Sequence, residues 1–186
     1  MTRYTLTTTL VATAMTAFIT ACATPPMTPM YSQVALAPAV QVPAGNVVAM
    51  ETVGVGDITY ECRDKKDMAG QYEWAFVGPD ARLMDRKGMQ VGRYYGPPAT
   101  WENKDGSKVS GAQVAIAPAA GTGENIPMQL VKASPAMGSG AMQGVSYIQR
   151  VATKGGVAPA MACGAATMGQ KQVVKYQADY IFWRSV

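Results

Sequence analysis

Apolar and polar residues alternate along most of the chain from Val42 onward. Ile58, Tyr60 and Cys62 fall on one side of such a segment, and the residues between them fall on the other. A period of two is the pattern of a β-strand with one buried face. The same alternation predicts strands at Tyr72–Phe76, Met128–Ala133, Gly144–Thr153 and Gln172–Trp183.

Turn-forming residues separate these segments. Asp85–Gly88 predicts one hairpin turn, and Asn103–Ser107 predicts a second, between strands at Thr100–Glu102 and Val109–Ala117. Asp-Gly favours tight turns because both residues tolerate a positive φ. No stretch longer than about ten residues has a helical period with capping residues. The sequence therefore predicts one all-β domain over residues 42–186, an antiparallel sandwich or barrel of roughly nine to eleven short strands.

The N-terminal residues have the character of an export signal. Arg3 is the only charged residue before Glu51, and a mildly apolar stretch follows it from Leu6 to Ala21. This stretch is too short and too rich in threonine for a membrane span. Residues 1–21 are therefore predicted to be a secretory signal peptide.

The signal ends at a cysteine. Ile19–Cys22 resembles the bacterial lipoprotein box, in which the cysteine receives a diacylglycerol and cleavage falls just before it. The alternative is ordinary cleavage after Ala23, because Ala21–Ala23 also fits a small-x-small site. We expect Cys22 to anchor the exported chain in the bacterial cell envelope, at the outer membrane facing the periplasm in a Gram-negative cell.

The residues after the predicted anchor resemble a tether. Residues 22–41 contain four prolines and no charge. Such a segment favours extended conformations and buries too little apolar surface to fold alone. We expect a proline-rich linker here, between the signal peptide and the domain that begins at Val42.

Two cysteines remain if Cys22 is lipidated. Cys62 and Cys163 are then the only possible internal pair, and export to an oxidising compartment favours a disulfide. The alternative is a pair of buried, reduced thiols. The chain lacks a C-x-x-C motif, so a redox-active pair is not expected.

Composition excludes several classes of function. The chain has no histidine, which excludes Ser-His-Asp and Cys-His catalysis and metal sites built on imidazole. Its methionines share no regular spacing, so no metal site and no cofactor are predicted. The 16 basic and 12 acidic residues are scattered, which argues against a nucleic-acid surface.

One group of side chains has the chemistry of a ligand pocket. Aromatic rings stack on sugars or apolar rings, and charged groups beside them orient a ligand. The alternative is that these rings fill the β core. The candidates are Arg93, Tyr94, Tyr95, Trp101, Tyr147 and Arg150.

Glu61 and Glu102 are candidates for acid–base catalysis. A glycosidase needs two carboxylates about 5–9 Å apart across a cleft. Nothing in the sequence places these two together, and both could be outward strand residues in ion pairs.

Several short motifs occur in an order typical of one family. They are Val42–Asn46, Tyr60–Cys62, Trp74–Pro79, Thr100–Glu102 with Asp105–Ser107, Tyr147–Arg150, and Gly155–Pro159 leading to Cys163. The chain from Val42 to Trp183 therefore resembles the domain of unknown function 3455. The resemblance implies a secreted β-rich domain with Cys62 and Cys163 paired, and it implies no activity.

Some relatives in this family carry a malate dehydrogenase label, which the residues do not support. Gly54–Gly56 is a G-x-G, but Thr59 stands where the third glycine belongs. The motif is expected between two strands, with no helix to bind a pyrophosphate. We therefore expect a non-enzymatic binding or structural module for a small molecule, a glycan or an envelope protein. The alternative is a carboxylate-dependent hydrolase of envelope polysaccharide.

Overall fold

The computed structural model describes Met1, residues 31–121 and residues 123–186. Cys22 and residues 2–21 of the predicted signal peptide lie outside the described residues. No described helix is long and apolar enough to cross a membrane. The helices among the described residues are two short 3-10 turns, Pro38–Val40 and Ala165–Thr167.

Eight antiparallel strands form one closed barrel. Each strand pairs with the next along the chain, and the last strand pairs with the first. The all-β prediction is confirmed, and of the two architectures that the sequence left open, the structure has the barrel. The strands are β1 (Asn46–Asp64), β2 (Tyr72–Met84), β3 (Gln90–Tyr95), β4 (Thr100–Asn103), β5 (Lys108–Ala117), β6 (Met128–Ala133), β7 (Val145–Gly155) and β8 (Lys171–Ser185).

The strands are fewer and longer than the sequence suggested. β1 has 19 residues, β2 has 13 and β8 has 15, so eight strands occupy the length that was expected to hold nine to eleven. The two predicted hairpin turns are present, between β2 and β3 and between β4 and β5. Closure leaves no unpaired edge strand in the sheet.

Aromatic side chains fill the interior of the barrel. The rings of Tyr94 and Trp101 are stacked, with centroids 4.6 Å apart and planes inclined by 16°. Tyr180 completes the cluster at 5.0 Å from Tyr94 and 5.8 Å from Trp101. Gly54 of β1 makes room for this ring, because a Cβ there would collide with the side chain of Tyr180. The centre of the barrel is therefore a packed core.

A disulfide crosses one end of the barrel. Cys62 of β1 is bonded to Cys163 in the β7–β8 connection, with Cα atoms 5.5 Å apart. The predicted pairing is confirmed. We call this the disulfide end. The indole N–H of Trp74 donates to the carbonyl of Met161 over 2.8 Å, and the Tyr60 hydroxyl donates to Gly156 over 2.7 Å. The long β7–β8 connection is thereby held on the end of the barrel.

The segment before β1 packs against the outside of the barrel. Val40 and Val42 are buried in a second apolar cluster with Ile181 and Trp183 of β8. The fully buried side chain of Gln149 donates to the carbonyl of Val40 over 2.7 Å. It also accepts a hydrogen bond from the Trp183 indole over 2.9 Å.

The folded unit therefore begins at Tyr31, before the boundary expected at Val42. The sequence predicts a linker over residues 31–41 because they cannot form a core by themselves. In the structure they instead cover an apolar stripe on the outer face of β8, which is a packing interaction with a distant part of the chain. The remainder of the predicted linker, residues 22–30, lies outside the described residues.

Candidate functional site

The predicted pocket residues lie in three separate places. Tyr94 and Trp101 face the interior, where they are 5% and 1% exposed. Burial raises the pKa of Tyr94, and the same cause raises the pKa of Tyr176 and Tyr180 beside it. These rings belong to the core of the barrel.

Arg93 and Tyr95 lie on the outer face of β3, together with Glu102 on β4. The Tyr95 hydroxyl donates to the Glu102 carboxylate over 2.7 Å, and this bond raises the pKa of Tyr95. The Arg93 guanidinium lies 5.7 Å from the centre of the Tyr95 ring and 3.3 Å from the Asp80 carboxylate. These side chains therefore form a network of their own on the surface.

Tyr147 and Arg150 lie on β7 but face opposite sides of the sheet. Tyr147 pairs with Trp183 on the outer face, whereas Arg150 pairs with the inward Tyr180, and its charge partly opposes the rise in the pKa of Tyr94 that burial causes. The ammonium of Lys132 lies 4.1 Å from the centre of the Tyr147 ring. The Arg150 guanidinium donates to the carbonyl of Pro127 over 2.9 and 3.2 Å. The six predicted ligand residues thus do not surround one cavity.

Glu61 and Glu102 are also apart. They lie on β1 and β4, which β2 and β3 separate, so three strand spacings of about 4.8 Å lie between them. Glu61 forms an ion pair with Arg63 at 2.8 Å, and hydrogen bonding by that guanidinium lowers the pKa of Glu61. A general acid needs a raised pKa. The arrangement therefore gives no support to a pair of glycosidase carboxylates.

A groove of about 720 Å³ lies on the outer face of the barrel, where β2, β1, β8 and β7 are neighbours. We call it the outer groove. Asp80 and Arg82 of β2 line one side, and Lys154 of β7 lines the other. Gly56 of β1 lets its strand approach β2 closely, because a Cβ there would collide with the carbonyl oxygen of Asp80.

The two carboxylates of the outer groove have cationic partners. Asp57 lies 2.7 Å from the Lys175 ammonium, and Asp80 lies 3.3 Å from the Arg93 guanidinium. Arg82 and Lys154 make no hydrogen bond or ion pair through their side chains with any residue that the structure describes. The groove therefore presents two basic groups that are available to a ligand.

Sequence reasoning missed this groove. Period-two alternation marks Asp57 and Lys175 as outward residues, but it assigns Arg82 to the wrong face because a bulge interrupts β2. It also does not show which outward residues are neighbours. That depends on the pairing of β1 with both β2 and β8, which joins residues far apart in the chain.

A model of the family described as protein of unknown function (DUF3455) matches residues 43–184. The chain belongs to this family. No curated protein and no solved structure matches it significantly. The resemblance carried by the sequence motifs is confirmed, and the description of the DUF3455 family assigns no activity.

The glycine motif of this DUF3455 domain has a structural role. Gly54 and Gly56 lie inside β1, where they pair with β2 and β8, and not between two strands as expected. Their missing side chains admit the Tyr180 ring and the close approach of β2. A dinucleotide motif instead opens a helix whose N-terminus binds the pyrophosphate. The geometry around Gly54–Gly56 therefore does not resemble a dinucleotide site.

Proposed function

We propose that this DUF3455 protein is a lipid-anchored, non-enzymatic binding module of the bacterial cell envelope, and that its ligand binds in the outer groove. The observation that carries the proposal is the combination of a filled interior with an open groove outside it. A barrel whose centre is packed with Tyr94, Trp101 and Tyr180 leaves its outer surface for recognition.

The size and lining of the outer groove support a binding role. Ligand sites are concave, commonly of about 300–1,000 Å³, with a small number of polar groups that orient the ligand. The outer groove has such a volume. The polar side chains of Arg82, Lys154 and Gln177 line it and leave the space open. A small molecule, a glycan or a segment of an envelope protein fits this description.

Export and anchoring are supported by two features of the chain. The lipobox ending at Cys22 provides the attachment site for lipid. The Cys62–Cys163 disulfide is typical of proteins that fold outside the reducing cytosol. In a Gram-negative cell, we place the domain at the outer membrane, facing the periplasm.

Cys22→Ser should release the protein from the membrane, because the acyl chains have no other attachment site. We expect the wild type in the membrane fraction of a bacterial host, labelled by radioactive palmitate, and the variant unlabelled in the soluble periplasmic fraction. Cys163→Ser is the matched control, since it removes a different cysteine and should keep the label. Palmitate labelling of Cys22→Ser would contradict the anchor.

Val55→Trp should block the outer groove. Val55 lies on the outer face of β1 and lines the groove, so an indole there would fill the space of a ligand. In a thermal-shift screen of envelope sugars, peptides and metabolites, compounds that raise the Tm of the wild type should lose that effect. A ligand at 100 times its Kd stabilises by about 2.7 kcal/mol, which such a screen detects.

Val47→Trp is the control for this experiment. It makes the same replacement on the same strand, at a half-exposed position outside the groove lining. Equal stabilisation of Val55→Trp and the wild type would show that binding occurs elsewhere. A screen in which nothing stabilises the wild type would favour a purely structural role and count against the proposal.

A further inference from the structure

We propose that the outer groove binds an extended acidic polysaccharide that lies across the strands. The inference rests on the proposed function, because it names the ligand class of the same groove. It is carried by a row of basic side chains that strand register places on one face of the barrel. The ligand that we propose is a chain of sugars bearing carboxylate or phosphate groups.

The row crosses five strands. Residues that lie opposite each other in neighbouring antiparallel strands point to the same face. The register pairs Arg93 with Arg82, Arg82 with Val55, Val55 with Gln177, and Gln177 with Lys154. We call these five residues the basic row. Three of its members are cations. The same register continues to Glu102 on β4, opposite Arg93, and this carboxylate lies 3.9 Å from the Lys108 ammonium on β5.

Arg82 and Arg93 are an unusual pair. Like charges directly opposite each other on neighbouring strands destabilise a sheet. The contact with Asp80, at 3.3 Å, partly offsets the charge of Arg93. Arg82 has no carboxylate partner among the residues that the structure describes. A bound anion would relieve the repulsion that the register imposes, which points to an anionic ligand at this position.

The neighbouring row does not cancel this charge. Register places Asp80 opposite Asp57, and Asp57 opposite Lys175. Each carboxylate contacts a cation, Asp80 with Arg93 and Asp57 with Lys175. With Glu102 and Lys108 included, the two rows hold five basic and three acidic side chains, so an approaching polyanion meets a surface of net positive charge.

The spacing of the cations favours a chain over a compact ion. Neighbouring strands are about 4.8 Å apart, so Arg82 and Arg93 fit one acidic group between them. Lys154 is three strands from Arg82, or about 14 Å along the surface. A small anion could contact only one end of the row, whereas an extended polymer contacts both ends.

The composition of the groove argues against single-stranded nucleic acid as the ligand. Proteins that bind single-stranded nucleic acid stack bases on exposed aromatic rings. The aromatic residue in the groove lining is Tyr176, which is 4% exposed and faces the interior. A concave surface also fits a chain better than it fits a flat bilayer.

The test uses the mature full-length protein and two probes, polygalacturonate and phosphomannan, with neutral dextran as the reference. We expect at least one acidic probe to bind in a titration followed by intrinsic fluorescence, and dextran not to bind. Arg82→Gln and Lys154→Gln should each weaken binding about tenfold, the effect of losing one charge-assisted contact. Raising the salt from about 50 to 200 mM should weaken binding further, because it screens the cations.

Lys66→Gln is the matched control, because it removes one exposed positive charge from the β1–β2 turn at the disulfide end. It should bind as the wild type does. Equal weakening by Lys66→Gln, binding of neither acidic probe, or equal binding of dextran would overturn the proposal. So would tighter binding of oligothymidylate or of phosphatidylglycerol vesicles than of both acidic glycans.

The failure of this inference can be distinguished from that of the proposed function. If a neutral compound stabilises the wild type and Val47→Trp but not Val55→Trp, the groove is a binding site whose ligand is not an acidic polysaccharide. If an acidic probe binds Val55→Trp as tightly as the wild type, both proposals are wrong. The melting midpoint of each variant, measured without ligand, confirms that the fold is retained.

Discussion

Replacing both Cys62 and Cys163 by serine should lower the free energy of unfolding by about 4–5 kcal/mol. The two cysteines are 101 residues apart in sequence, so the disulfide closes most of the domain into one loop. Removing it gives the unfolded chain more conformational freedom while the barrel keeps its strand pairing. Equilibrium unfolding in urea, followed by tryptophan fluorescence, measures the difference.

The native contacts at the disulfide end explain why the barrel should remain folded without the bond. The backbone N–H of Cys62 donates to Gln170 over 2.9 Å, and Gly169 donates back to Cys62 over 2.8 Å. These hydrogen bonds, with that of Trp74 to Met161, still hold the β7–β8 connection. The change should therefore lower the urea midpoint without abolishing the native fluorescence spectrum.

Reduction of the wild type provides the control for the disulfide prediction. A thiol reductant should shift the urea midpoint of the wild type towards that of the double serine variant, and it should leave the variant unchanged. If the double variant and the oxidised wild type unfold at the same urea concentration, the disulfide contributes no stability and the prediction is wrong.

The local elements could be predicted because their signals are local. The turn at Asn103–Ser107 contains Asp105-Gly106, and Gly106 has φ +85°, the conformation that the Asp-Gly signal implies. β6 has the bounds that alternation predicts, Met128–Ala133. Closure of the barrel could not be predicted, because it requires β1 to pair with β8 at the other end of the chain.

Alternation was misleading where a bulge interrupts it. Trp74 and Phe76 keep one parity, opposite Cys62 and Tyr60, yet farther along β2 it is Ala81 and Leu83, at odd-numbered positions, that face the core. The register between β1 and β2 shifts so that Thr59 faces Gly78 and Tyr60 faces Phe76, which leaves Val77 without a partner. The extra residue reverses the parity of β2, because a bulge moves every following side chain to the other face.

The candidate site could not be predicted for a related reason. Arg93, Tyr94 and Tyr95 are adjacent in sequence, which suggested one pocket, but a strand points consecutive side chains to opposite faces. Tyr94 therefore enters the core while its two neighbours remain outside. The residues that line one groove, such as Arg82 and Lys154, belong to strands that only the three-dimensional register brings onto one face.

Trp101→Ala should lower the free energy of unfolding by about 3–5 kcal/mol, the usual cost of removing a large buried aromatic side chain. Trp101 is 1% exposed and stacks on Tyr94 at 4.6 Å. Its removal leaves a cavity that the surrounding strands cannot close, because their positions are fixed by pairing on both sides. Urea unfolding measures the loss, with the far-ultraviolet circular dichroism as the signal.

Trp101→Phe and Tyr95→Ala separate this packing effect from a role in binding. The Trp101 indole N–H has no hydrogen-bond partner among the described residues, so Trp101→Phe loses volume but no hydrogen bond and should cost much less. Tyr95→Ala removes an outer side chain and its bond to Glu102, which we expect to cost about 1 kcal/mol. If Trp101→Ala were no less stable than Tyr95→Ala, the indole would not be part of the core. Because its effect is on folding, Trp101→Ala does not test the ligand site, whereas Val55→Trp does.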